Sequence, residues 1–469
     1  MNTSTVTFTI PKAADFTRRC LSIDLEVGIQ DLRIHRFAAI NGNNSRSFVY
    51  KEGNIQAALA GLDRFAKSAD FLLGHNLIAF DLPHLDFANP SLRLLQLPPV
   101  DTLRLNPLAF PRNPYHHLVK HYQDGQLKRG QLNDPELDAR LTLDVLQDQF
   151  NTLLMLNETE PGLLLAWHWL TTREKSSSGF DAFFSAIRRK SCPTDAQAQD
   201  AISIFWEELG CLTYSREILA EAKKNGWALA YCLAWLSVAG GNSVMPPWVV
   251  HQFPEARVLV SKFRDVACAD PGCTWCRKRH NARHELNRWF GFDEFRPEPA
   301  DEYGLSLQQV IVEAAMQGKN VLGILPTGTG KSLCYQIPAL SRYEKTGALT
   351  VVVSPLVALM ADQITGLEAR GITSCAAINS LLSMPERADV LERLRLGDVG
   401  ILIVSPEQLR NRTLRKVLQQ RVIGFWVLDE AHCISKWGHD FRPDYRYMGR
   451  FIRETAVAGE IPPVMCLTA

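Results

Sequence analysis

The stretch VLGILPTGTGKSLCYQIPAL (321–340) decides how the C-terminal part of the chain is read. An apolar run, VLGIL (321–325), passes into Pro326, Thr327, Gly328, Thr329 and Gly330, then Lys331, Ser332 and a segment with helical spacing. Glycines let successive backbone N–H groups curl around a phosphate, and a helix N-terminus behind them adds the positive end of its dipole. In such a loop Lys331 reaches the β- and γ-phosphates of a nucleotide and Ser332 holds Mg2+. A glycine-rich turn that merely carries a lysine would not need this strand before it and this helix after it.

Apolar, β-branched runs recur downstream as LTVVVSP (349–355), ILIVSP (401–406), FWVLDE (425–430) and VMCLT (464–468), with helix-like segments between them. Buried strands alternating with helices make a parallel sheet with βαβ crossovers. FWVLDE ends in Asp429 and Glu430, about 100 residues after the phosphate loop. An aspartate at a strand tip can bind Mg2+ through water, and the glutamate beside it can polarise the attacking water. Lys331, Asp429 and Glu430 are therefore the candidate catalytic set; an acidic pair alone would be a solvated strand cap.

Taken in order, LPTGTGKSLCYQIPAL, VVVSPLVALMADQ, IVSPEQL, VLDEAHCISKWGHDFRPDY and CLTA resemble consecutive motifs of the RecQ family of superfamily 2 DNA helicases, over about 292–469. The resemblance implies ATP-driven 3′–5′ translocation on single-stranded DNA. It also implies that the aromatic-rich loop couples DNA binding to hydrolysis through Trp437, Phe441 and Arg442, although Lys436 stands where the family has glutamine. Bottom-up, the two rings offer stacking faces for bases and the guanidinium a phosphate contact. FGFDEFRP (290–297) looks like the family's adenine-recognition motif, placing Phe292 and Arg296 on the base. The family's glutamine arrives late, after EPADEYGLSL, as Gln308. A motor of this type works with a second RecA-like domain, so the chain reads as a piece of a longer helicase. A DEAH-box RNA helicase is the alternative for the motor.

Near the N-terminus LSIDLEVG places Asp24 and Glu26 two apart on a strand, hence on one face. GHNLIAFDLPHL supplies Asp81, and NDPELDARLTLDVL supplies Asp138 on a helix. Four converging carboxylates could hold two divalent ions, Mg2+ or Mn2+, for phosphodiester hydrolysis. The set, with VDTLRL (100–105) between, is similar to the DEDD (DnaQ-like) 3′–5′ exonucleases over roughly 18–150. The family's general base, a His or Tyr, falls on Asn133, which cannot accept a proton; Asp144 is another candidate for the last ligand. A module that grips DNA ends without cutting is the alternative here.

Between these regions, Cys268, Cys273, Cys276 and His280, with His284 one turn later, show the spacing of a tetrahedral zinc site. Pro271 and Gly272 make the turn that lets thiolates converge. An iron–sulfur cluster would take a fourth cysteine, and none stands nearby in sequence.

At roughly 100–200 residues per domain, 469 residues suggest three or so domains. Apolar residues make up 46% and charged residues 22%, ample for packed cores. The 51 Lys and Arg nearly cancel the 50 Asp and Glu, which excludes a polycation or an acidic tail but not a local basic groove. The longest apolar run, WALAYCLAWLSVAG (227–240), is short for a bilayer and reads as a buried helix. The N-terminus shows no secretory pattern, and the cysteines sit mostly alone in apolar segments, as in a reducing compartment. The expected layout is α/β throughout: an RNase H-like exonuclease fold (1–150), a helical connector (151–264) with breaks at SSSG (176–179) and GGNSVMPP (240–247), a zinc knuckle (265–290) and a RecA-like P-loop domain (291–469). The expected partner is single-stranded DNA, 3′ ends or partial duplex, in the cytoplasm, with ATP, Mg2+ and Zn2+ as cofactors.

Overall fold

Strand β1 (Cys20–Val27) shows why the N-terminal acids share a face. It lies inside a five-stranded sheet with β2 (Ile34–Asn41), β3 (Ser47–Tyr50), β4 (Phe71–Gly74) and β5 (Pro99–Asp101), in the order β3-β2-β1-β4-β5. β2 is antiparallel to β1 and β3, whereas β4 and β5 run parallel to β1. Leu21, Ile23 and Leu25 point into one core with Phe37, Leu59 and Leu72. The alternate residues, Cys20 and Ser22, are buried on the opposite side, so Asp24 and Glu26 emerge from that second face as the strand runs out. Cys20 is paired with Phe71, whose ring stacks on Phe16 at 4.9 Å; Phe16 in turn meets Phe150 of the long helix Pro135–Thr159. The helix that carries Asp138 in its first turn thus packs on the face that presents Asp24 and Glu26.

The computed structural model describes residues 12–28, 30–112, 134–173, 178–239, 245–434, 443–456 and 461–469. Among these the chain falls into two compact units. The first takes the residues up to Pro111, those from 134 to Phe205, and Leu219–Ala234; the second takes Trp206–Ile218 and the residues from Trp235 onward. Helices fill the first unit beyond its sheet, as the apolar periodicity of 151–260 implies. One expected break differs. Ser178 and Gly179 open the helix Ser178–Arg188, and Gly179 is buried against β5, where a Cβ would sit 2.1 Å from the Pro99 carbonyl oxygen. Here glycine serves helix-on-strand contact rather than a turn. The apolar run at 227 does form a buried helix, Gly226–Leu236. No helix among the described residues is long and apolar enough to cross a membrane.

The second unit holds β6 (Val321–Ile324), β7 (Leu349–Val353), β8 (Cys375–Ile378), β9 (Ile401–Val404), β10 (Ile423–Leu428) and β11 (Val464–Thr468) in the order β6-β11-β10-β7-β9-β8, every pair parallel. Val351, Val353, Leu402, Val404, Trp426 and Leu428 fill a core on one face, and Val352, Ile401, Ile403, Phe425 and Val427 a core on the other. Burial on both faces explains why these strands read as unbroken apolar runs. Helices before the sheet are tied to the helix Lys331–Thr346 by charge: Arg279 and Arg288 both bind Glu344, and Asp265 lies 3.3 Å from Lys345.

Candidate nucleotide-binding site

Parallel strands of this kind bring their carboxyl ends to one edge, where ligands bind. β6 ends in the phosphate loop and β10 ends in Asp429, two strands apart across β11. Gly328 and Gly330 both have φ near +79°, and the helix beginning at Lys331 follows directly. A side chain at Gly330 would also collide with the Gln308 amide, 2.7 Å from its ideal Cβ. Lys331 Nζ is buried without a hydrogen bond and faces Glu430 Oε1 at 3.7 Å. Burial above all, then the Glu430 carboxylate, hold Asp429 above the ordinary carboxylate range, against the pull of the Glu430 N–H, Lys331 and the Ser354 hydroxyl. Glu430 itself sits at φ +50°, a left-handed conformation that turns its side chain back toward Lys331.

Around this centre the structure adds residues that the motif reading did not single out. Ser354, at the end of β7, reaches Asp429 Oδ2 at 3.5 Å. Gln363 accepts from the Tyr335 hydroxyl and approaches the Ser332 hydroxyl at 3.5 Å. His432 contacts both Glu430, at 3.4 Å, and the Thr468 hydroxyl at the end of β11, at 2.9 Å. Ser354, Gln363, His432 and Thr468 all lie within the quoted motifs; only their mutual contacts were invisible.

The base-recognition residues are brought to the same loop. Gln308 accepts from the Arg296 N–H and donates to the Thr329 and Gly330 carbonyls at 2.6 and 3.1 Å. Arg296 donates its guanidinium to the Gly328 carbonyl at 2.6 Å. Gln308 is buried and committed to the loop, while the Phe292 ring is 46% exposed and open to stacking. Despite the long insertion before it, Gln308 stands where Arg296 and the loop meet.

Residues 306–469 match the family model described as "DEAD/DEAH box helicase". This part of the chain is a DEAD/DEAH box helicase domain. The domain is similar to the "Probable ATP-dependent DNA helicase RecS" of Bacillus subtilis, 42% identical over 39% of this chain and 33% of that protein. It is likewise similar to "ATP-dependent DNA helicase RecQ" of Bacillus subtilis, 40% identical over 40% of this chain and 29% of that protein. The same name in Haemophilus influenzae is 38% identical over 39% and 27% respectively. The chain thus spans about a third or less of these relatives' length. The helicase domain's expected DNA contacts, Trp437, Phe441 and Arg442, lie outside the described residues.

Away from the helicase domain, Asp81 closes the turn Leu77–Asp81 and is almost wholly buried, accepting from the Leu25 N–H at 3.2 Å. Burial first, then the negative charges of Asp24 and Asp101, raise its pKa well above the usual value. Asp24 and Glu26 are half-buried on β1, and Asp138 lies in the first turn of its helix. Asn133, the residue at the general-base position, lies outside the described residues. Asp101 of VDTLRL is a structural acid: it accepts from the N–H groups of Asn76, Ile78 and Leu103 at 2.9, 3.0 and 3.0 Å.

The cysteine region departs from its sequence reading at one position. Cys268, Cys273 and Cys276 do come together, but the group that joins them is Cys211. His280 points elsewhere, with Nδ1 3.4 Å from Lys345 Nζ, and burial followed by that lysine lowers its pKa to about 4. His284 is about half exposed and neighbours Glu285 instead. Cys211 lies 57 residues ahead of Cys268, a distance at which spacing rules carry no signal.

Proposed function

We propose that the helicase domain is the nucleotide-binding half of a RecQ-type, 3′–5′ DNA-translocating motor and that the first unit is a DEDD-type exonuclease module. The observation that carries the motor reading is the Lys331–Glu430–Asp429 constellation at one sheet edge beneath the Arg296–Gln308–Gly330 network. Lys331 faces Glu430; an incoming phosphate takes over the ammonium and frees the carboxylate to receive a proton from water. Backbone N–H groups of 328–332 cradle the phosphates, and Phe292 stacks on the base. The hydroxyl of Ser332 and the carboxylate of Asp429 form an oxygen donor set suited to Mg2+, which would supply charge neutralisation on the phosphates.

Turnover of ATP by the chain, measured with and without single-stranded DNA, tests the reading. Stimulation by single-stranded DNA and not by RNA is expected. Stimulation by RNA alone would replace the DNA motor with a DEAH-box RNA helicase.

For the first unit, support comes from a mixed sheet whose β1 presents Asp24 and Glu26 on the face covered by the Asp138 helix, with Asp81 buried alongside. A 3′-labelled duplex with Mg2+ or Mn2+ should be shortened by wild type and left intact by Asp24→Ala. Undigested but tightly bound DNA with the wild-type protein would make this unit an end-binding module.

A further inference from the structure

Four thiols from two separated stretches meet in the second unit. Cys211 stands just ahead of the helix Leu212–Ala220, and Cys268, Cys273 and Cys276 surround the turn that leads into the helix Thr274–Arg279. Their Sγ atoms all lie within 4.8 Å of one another, and those of Cys211 and Cys273 are 3.9 Å apart. Sulfurs bound at about 2.3 Å to the corners of a tetrahedron are about 3.8 Å apart. The four sulfurs are thus already at the spacing of a single-ion shell. A polynuclear iron–sulfur cluster, which places several metal atoms between its thiolates, would hold them wider.

The surroundings are built for this convergence. The Cys211 N–H donates to the Phe263 carbonyl at 2.8 Å, fixing the first stretch against the second. Gly272 donates to Asp270 Oδ1 at 2.8 Å, closing the turn between Cys268 and Cys273. The Cys268 N–H lies 3.4 Å from Cys276 Sγ, a backbone donor aimed at sulfur. Four thiolates on a divalent ion leave two negative charges. Cations are at hand: the guanidinium groups of Arg264 and Arg279 lie 5.0 and 5.2 Å from the Trp275 ring that borders the cluster, and Lys262 lies over Tyr214.

We infer that Cys211, Cys268, Cys273 and Cys276 bind one zinc ion as a tetrathiolate site, and that this ion fastens Trp206–Ile218 to the segment ahead of the helicase domain. That stretch belongs to the second unit although the residues on both sides of it belong to the first. Its other ties are the packing of Trp206 and Gly210 on Phe263, the Cys211 N–H on the Phe263 carbonyl, the Tyr214 hydroxyl near the Ala267 carbonyl, and Lys262, which lies over Tyr214 and pairs with Glu217 at the surface. An exposed pair such as Lys262 and Glu217 contributes little, whereas zinc binding contributes directly to folding.

The inference stands apart from the ATP and nuclease chemistry, and its test reads neither. Whole chain purified with zinc and without chelator should carry one zinc per chain, with little iron and no acid-labile sulfide. Under competition with a chelator, Cys211→Ser should retain zinc at least about tenfold less well than wild type, and His280→Ala should match wild type. Wild-type protein without zinc, an iron–sulfide content, or undiminished zinc in Cys211→Ser would each overturn the site. Should Cys211→Ser fail to fold, wild-type protein loaded with Co2+ decides: a tetrathiolate spectrum upholds the assignment, and a spectrum of three thiolates with one imidazole refutes it.

Discussion

Asp429 and Asp81 are both buried carboxylates placed beside a central strand, and both are pushed toward the protonated form, yet their neighbours differ in kind. Asp429 shares its pocket with Glu430, and Lys331 stands against the pair. What bears on Asp81 is burial and the like charges of Asp24 and Asp101, eased by the Leu25 N–H. The helicase domain thus carries its own cation and waits for a phosphate to take it. The first unit accumulates negative charge, and a divalent cation would relieve it. On the proposed reading, one site receives an anionic substrate and the other a metal ion.

The largest test of this contrast is Glu430→Gln. Turnover of ATP should fall about 10²–10³-fold through loss of the group that receives the proton, while nucleotide affinity, measured with a fluorescent analogue, holds or rises because Lys331 loses its competitor. Unchanged turnover would remove Glu430 from the chemistry. Gly330→Ala comes next. A left-handed alanine costs about 1–2 kcal/mol, and here its Cβ also displaces the Gln308 amide. ATP should bind about tenfold more weakly, with hydrogen exchange on β1 unaffected.

The smallest effect should run the other way. Asp81→Asn keeps an acceptor for the Leu25 N–H and removes the charge. In metal-free protein at neutral pH, the β1 amides should become more protected from hydrogen exchange by about 1 kcal/mol. The sign follows from linkage. The folded state holds the Asp81 proton more tightly than the unfolded chain, so ionisation costs stability as pH rises from the ordinary carboxylate range through the raised folded value. That cost is full above the folded value and vanishes below the unfolded one. The advantage of Asp81→Asn should therefore disappear in acid, and Mn2+ should protect β1 in wild type more than in the variant. A variant less stable than wild type at neutral pH would mean that the charge is compensated in the fold.

Much of the helicase domain was legible because its chemistry is local. A phosphate loop needs glycines, lysine and serine in one unbroken stretch, and a strand buried on both faces writes itself as a run such as VVVSP. β8 escaped notice because CAAI is short and built partly of alanine, so its small side chains give weak strand propensity. In the first unit β2 was hidden for a related reason: IHRFAAIN puts exposed His35 and Arg36 beside buried positions and breaks the alternation. Gln308 was findable through its distance to the loop, but its bonds to Thr329 and Gly330 were not. Cys211 was the hardest. A single cysteine ahead of a helix looks like any other, and only the fold brings it beside three partners.

The way the chain alternates between its units has a consequence in time. As the protein emerges from the ribosome, the first unit cannot close until Leu219–Ala234 has been made, and by then Trp206–Ile218 is already out while its own partners around Phe263 and Cys268 are not. Cys211 must then wait for Cys276, 65 positions later, roughly 3–13 s at ordinary rates of synthesis. For all but the last few residues of that interval, none of its three partners has been made. If the four thiols hold zinc as inferred above, the ion can be captured only after that interval, once Cys276 has joined the other three.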